Sequence, residues 1–139
     1  MVKVIHLMIG LGTGGVENFV LQLCRQHKAD NVGVVVVGIT SHEIRKEEFD
    51  RAGIENHTLH IDSWRAFPAG LKKLKAIQAK DPAAILHVHG FHALMLGCIL
   101  RLTKRKVKMV FTIHTNFIRS RLRKLLIWLT KPFRRQDIV

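Results

Sequence analysis

Tyrosine is absent from these 139 residues, proline occurs three times, cysteine twice, and aromatic residues make up only 6%. Each shortage excludes something. Two cysteines, Cys24 and Cys98, cannot staple a small secreted scaffold and form no C-x-x-C pair, so they read as buried thiols of a cytosolic protein. The longest apolar runs, residues 32–39 and 93–100, hold eight residues each, far short of the roughly 20 a membrane-spanning helix needs. Residues 1–9 carry one strand's worth of apolar side chains ended by glycines, without the basic-then-apolar layout of a secretory signal. With no tyrosine and few other rings there is no stacking platform to interleave with cations, so no nucleic-acid partner is expected.

Acidic residues are scarce as well, ten against 23 Lys and Arg, for a net charge of +13. The excess is uneven. Residues 1–100 hold eleven basic and nine acidic side chains, whereas residues 101–139 hold twelve basic ones and a single acid, Asp137. Arg119, Arg121, Arg123 and Lys124 read as a solvated face or, with Trp128 beside them, as peripheral contact with an anionic membrane.

What is plentiful is ordinary globular material: 47% hydrophobic and 24% charged residues, enough for one domain with one real core. Strand-like and helix-like segments alternate. Strands are expected at 2–9, 32–39, 55–61, 84–89 and 107–114, with another beginning at 137–139. Helices are expected at 15–28, 43–51 (capped by Gly53), around Leu71, Leu74 and Ile77, at 94–102, and along the stripe Ile118, Leu122, Leu125, Leu126 and Leu129, which should pack on the sheet. Near-continuous apolar strands separated by helices predict an α/β fold, a Rossmann-like doubly wound parallel sheet.

In such a sheet ligands bind beyond the carboxyl ends of the strands. Three of those ends are chemically rich: residues 10–15 (GLGTGG), His89-Gly90-Phe91-His92, and His114-Thr115-Asn116. Gly10, Gly12 and Gly15 fit G-x-G-x-x-G, but strand two ends Gly38-Ile39-Thr40-Ser41, without the acid that would hold a dinucleotide ribose. No NAD or other cofactor is therefore expected. The glycines either make a tight turn or let a ligand approach the free N–H groups at a helix start, where an anion is favoured. His87-Val88-His89-Gly90-Phe91-His92 has the spacing of H-x-H-x-D-H metallo-hydrolases, but Phe91 stands where the acid should be, so no metal is expected. His6, His27, His42, His57 and His60 read as hydrogen-bonded or solvated side chains.

Lys3-Val4-Ile5-His6-Leu7, Gly14-Gly15-Val16-Glu17, Gly53-Ile54-Glu55, Ile85-Leu86-His87-Val88-His89-Gly90 and Thr112-Ile113-His114-Thr115 occur in this order along nearly the whole chain. Together they resemble the N-terminal, acceptor-side domain of GT-B retaining glycosyltransferases of family 4. The resemblance implies an enzyme that moves a sugar from a nucleotide-sugar donor to a lipid-linked or saccharide acceptor with retention. It assigns His114 to the transferring sugar and Gly14 and Gly15 to donor phosphates or acceptor. His89 and Thr115 match acceptor-side positions.

It also implies a second, donor-binding domain with an E-x7-E motif. Glu47 and Glu55 reproduce that spacing but fall between strands two and three. The expectation is thus an incomplete N-terminal domain at residues 1–139, inactive alone, whose donor half lies elsewhere or on another chain. The alternative reading is a non-catalytic nucleotide- or anion-binding module.

Overall fold

The computed structural model describes residues 1–114 and 120–133 and the backbone of 136–138. Six strands, β1 (Lys3–Met8), β2 (Gly33–Gly38), β3 (Glu55–Thr58), β4 (Ile85–His89), β5 (Lys108–Thr112) and β6 (Gln136–Ile138), form one sheet in the order β3-β2-β1-β4-β5-β6. Every pairing is parallel. Between them run α1 (Gly15–Ala29), α2 (Lys46–Arg51), α3 (Phe67–Lys80), α4 (Gly90–Thr103) and α5 (Arg121–Leu129). The doubly wound α/β fold expected from the alternation is present, and its strand order reverses between β1 and β4. That is where such sheets open a crevice.

Successive strand side chains point to opposite faces, and the sequence fills both. Ile5 and Leu7 join Val35, Val37, Leu86 and Val88 in a cluster with Leu74 of α3 and Leu94 and Leu100 of α4. Met8, Val34 and Val36 join Val20, Leu21 and Cys24 of α1 and Phe49 of α2 on the other side. His6, between Ile5 and Leu7, belongs to the α1 face. Cys24 and Cys98 are buried thiols that form no disulfide, as expected.

Two glycines fix the path of the chain. Gly53, at φ +64, follows α2, and Ile54 N–H bonds back to Phe49 O at 2.9 Å, the expected glycine stop. Lys28 Nζ donates to the carbonyls of Ala52 and Gly53 at 2.9 and 2.8 Å, tying that turn to α1. Gly90, at φ +82, lets β4 pass straight into α4. A side chain there would be strained, so Gly90 sets the position of His89.

One expectation is corrected. The stripe on α5 does not pack on the sheet: Leu122, Leu125 and Leu129 are each more than half exposed, as is Trp128. Ile127 and Phe133 face the core instead. Helical spacing identifies an apolar face, but which face meets the core depends on where neighbouring elements hold the helix. Ile118 lies outside the described residues. Among the described residues no helix is long and apolar enough to cross a membrane.

Candidate functional site

Parallel register brings the histidines together. His6 of β1 lies beside His87 of β4, and His89 beside Thr112 of β5, so all four point from the same face. His6 Nδ1 is 3.0 Å from His89 Nε2, and His89 Nδ1 is 2.9 Å from His114 Nε2. On the far side, His6 Nε2 is 3.4 Å from His27 Nδ1 of α1. His87 Nε2 is 2.6 Å from Thr112 Oγ1. A chain of four imidazoles thus runs from α1 across one face of the sheet to the end of β5, with His87 packed on His89 at 4.1 Å between ring centroids.

Burial sets their charge. His6, His87 and His89 are almost entirely enclosed. Desolvation pushes His6 and His89 well below the ordinary imidazole range, and the charged forms of neighbouring histidines push the same way. His87 is lowered to about 4, first by burial and then by His27 and His114. His114 is half-buried; desolvation lowers it, and the Glu17 carboxylate partly opposes this. The cluster is therefore neutral at pH 7, and each N···N contact shares one proton.

The glycine loop joins this cluster through the first turns of α1. Gly14 is the N-cap and offers no side-chain cap to the first-turn N–H groups. A Cβ on Gly14 would meet Glu17 Oε2 at 2.6 Å, and one on Gly12 would meet Glu17 Oε1 at 3.3 Å. Those glycines make room for a buried acid. Gly15 differs: a Cβ there meets nothing within 4 Å, so its Cα faces open space. Phe19, one turn on, sets its ring edge-on to His114 at 5.1 Å. Glu17 and Phe19 bridge the loop to His114.

The structure places Gly14, Gly15, His89 and His114 at adjoining strand ends. Thr115 and Asn116 lie outside the described residues. Glu47 pairs with Arg51 on the exposed side of α2, and Glu55 pairs with His57 on β3, so neither joins the cluster. His42, His57 and His60 are the ordinary side chains expected, the last two bonded to Glu55 and Ser41. His6 and His27 are hydrogen-bonded too, His6 to His89 and the two to each other. That the register of β1 against β4 joins them in one cluster is what a histidine inside an apolar strand does not announce. Glu17, Phe19 and Thr112 were missed as well; the position of Glu17 in the quoted Gly-Gly-Val-Glu run was the available signal.

One open groove of about 380 Å³ flanks the carboxyl strand ends on the α3–α4 side, lined by Ile9, Ile39, Ile61, Phe67, Met95 and Ile99 among others. A second, about 330 Å³, lies over the α1 face of the sheet, from Val4 and Ile85 near the amino ends of β1 and β4 to His87 and Thr112, beside Phe19 and His27.

This geometry has counterparts. The solved N-terminal domain of Candida albicans trehalose-6-phosphate phosphatase superposes with a TM-score of 0.53 at 16% identity, over 84% of this chain and 34% of that one. At that identity the likeness shows the fold alone, and this chain spans about a third of that protein's length. No curated protein shows significant similarity. The model for Glycosyltransferase Family 4 matches residues 13–139, from the glycine loop through the histidine-bearing strand ends to the last residue, so the chain belongs to glycosyltransferase family 4.

Proposed function

We propose that this chain is the acceptor-side half of a retaining glycosyltransferase that moves a sugar from a nucleotide-sugar donor to a lipid-linked or saccharide acceptor, in the synthesis of cell-surface polysaccharide or lipopolysaccharide. The observation that carries this reading is the open space over Gly15, linked through Glu17 and Phe19 to the half-buried His114. A phosphate can approach the start of α1 there without meeting a side chain, and the N–H groups of the first turn favour its charge. His114, neutral and held by His89, is placed to hydrogen-bond a sugar hydroxyl as the glycosidic bond forms. Stabilisation of leaving-group charge then falls to backbone N–H groups and to cations of a donor-binding domain.

The apolar groove beside Ile9 and Phe67 suits the lipid portion of an acceptor. Exposed Leu122, Leu125, Trp128 and Leu129 on α5, with Arg121, Arg123 and Lys124 between them, suit a peripheral position on an anionic membrane at its cytoplasmic face. The test is titration of the isotope-labelled chain with nucleotide sugars and with sugar-diphosphate-lipid analogues, followed by NMR. Acceptor analogues are expected to shift the Gly14 and Gly15 amides and the His114 ring. Saturating additions that leave all three unmoved overturn the reading.

A further inference from the structure

The innermost three histidines do more than support His114. His6, His87 and His89 each offer a ring nitrogen, and these nitrogens all lie within 4.8 Å of one another. We propose that they form a binding site for one divalent transition-metal ion, with zinc as the type. The inference is independent of the transfer reaction.

The second nitrogen of every ring is already occupied. His6 Nε2 is held by His27, His89 Nδ1 by His114, and His87 Nε2 by Thr112. That leaves His6 Nδ1 and His89 Nε2 turned towards each other, with His87 beside them and one ring nitrogen of each within 4.8 Å of the others. A ligating histidine ordinarily has its other nitrogen bonded to an outer partner that fixes its orientation and tautomer, and here all three do. The spacing also fits. Zinc–nitrogen bonds of about 2.0–2.1 Å in a tetrahedron separate the nitrogens by about 3.4 Å and the ring centroids by roughly 5 Å. His6 Nδ1 and His89 Nε2 stand at 3.0 Å, and a few tenths of an ångström of opening admits the ion. The His6 ring centroid is 5.2 Å from that of His87 and 5.3 Å from that of His89, while His87 and His89, at 4.1 Å, must part by about 1 Å to take the ion.

The ligand set chooses the metal class. Three imidazoles with no carboxylate or thiolate in the group suit zinc, copper or nickel and not magnesium or calcium. Three protein ligands leave a fourth position for water or an anion. Access runs from the groove of about 330 Å³ whose wall includes His27, His87 and Thr112. The ligands sit on adjacent parallel strands, so the sheet itself holds the spacing. The sequence pattern H-x-H-x-D-H pointed to the wrong third ligand: Phe91 is irrelevant, because the neighbouring strand supplies His6.

The experiment uses the untagged chain stripped by chelator and titrated with Co²⁺ and then Zn²⁺. One Co²⁺ per chain, with the intense visible bands of a four-coordinate ion that Zn²⁺ displaces, is the expected result. The melting temperature should rise by about 5 °C or more at saturating Zn²⁺. His6→Gln or His89→Gln should weaken binding at least tenfold, while His42→Gln and His60→Gln leave it unchanged. If the cluster variants do not fold, ¹⁵N imidazole spectra of the wild type decide. With one equivalent of Zn²⁺, His6 Nδ1 and His89 Nε2 should both lose their shared proton. A coupling across that N–H···N bond that persists in excess Zn²⁺ overturns the proposal and leaves a purely hydrogen-bonded cluster. So does Co²⁺ binding that only the surface histidine variants abolish.

Discussion

At His114 and Gly15 the proposed chemistry narrows to single atoms. His114→Ala, placed in an enzyme complete with its donor-binding domain, is expected to lower kcat at least tenfold, about 1.4 kcal/mol of barrier. Its effect on Tm should be small, since the ring is only half-buried. A smaller loss of rate removes the assignment to the transferring sugar. The two loop glycines should separate cleanly. Gly15→Val puts its side chain into open space, with no positive φ to strain. It should therefore preserve the fold and weaken phosphate or nucleotide-sugar binding. Gly14→Val drives its Cβ against Glu17 Oε2 and should lower Tm, by an amount read from thermal melts of the two variants side by side. Equal melting temperatures would show that the Glu17 contact is relieved by a trivial shift. These residues were legible in the sequence because glycines and histidines at the ends of apolar runs are conspicuous. His6 was not, because its role comes from pairing with a strand 81 residues away.

Among the elements, strands β1 and β4 carry a polar cluster where apolar packing is usual, and this should show in acid. Burial holds His87 at about 4 in the folded chain, whereas an unfolded histidine titrates near 6.5. The unfolded state therefore takes up the proton first. Stability contributed by the neutral ring is complete above about pH 6.5 and is lost as pH falls towards 4, by roughly 3 kcal/mol at most for this group. His6 and His89 act in the same direction. Urea melts with chelator present, so that only protons compete for the imidazoles, should show a steep decline across that window; a flat profile would mean that the cluster opens to water. Helix α5 gives the second expectation at this scale. Its exposed leucines and Trp128, flanked by cations, should carry the chain onto anionic vesicles at low salt and release it as salt rises, each cation near the surface contributing about 1 kcal/mol. Absence of co-sedimentation at low salt would leave α5 a solvated helix. The existence of α5 was legible from its spacing, and its capping Ser120 accepts from Arg123 N–H. Its orientation was not, because the neighbours that hold Ile127 and Phe133 against the core belong to tertiary structure.

For the whole molecule, the regular alternation of apolar strands and helices was enough to anticipate a doubly wound sheet, because only a parallel sheet buried on both faces needs strands apolar on both sides. Function at this scale depends on what one such sheet can hold. The strand ends of β1, β4 and β5 bring together an anion-accepting loop, a neutral histidine and an apolar groove. On the proposed reading these groups orient an acceptor. Among the described residues, the basic side chains of α5 lie on its exposed face, and in that reading the charge of a departing nucleotide diphosphate is met from outside this sheet. Most of the barrier to sugar transfer is removed by positioning both reactants and by stabilising the leaving charge, and on the proposed reading the second task belongs to a facing domain. The 139 residues alone should thus bind an acceptor and turn over no donor. Incubation of the purified chain with a panel of nucleotide sugars and acceptors, and again with a donor-binding domain added, distinguishes the cases. Transfer only in the second mixture is the expected outcome. Multiple turnovers by the chain alone would place the whole site within this one sheet and end the two-domain reading.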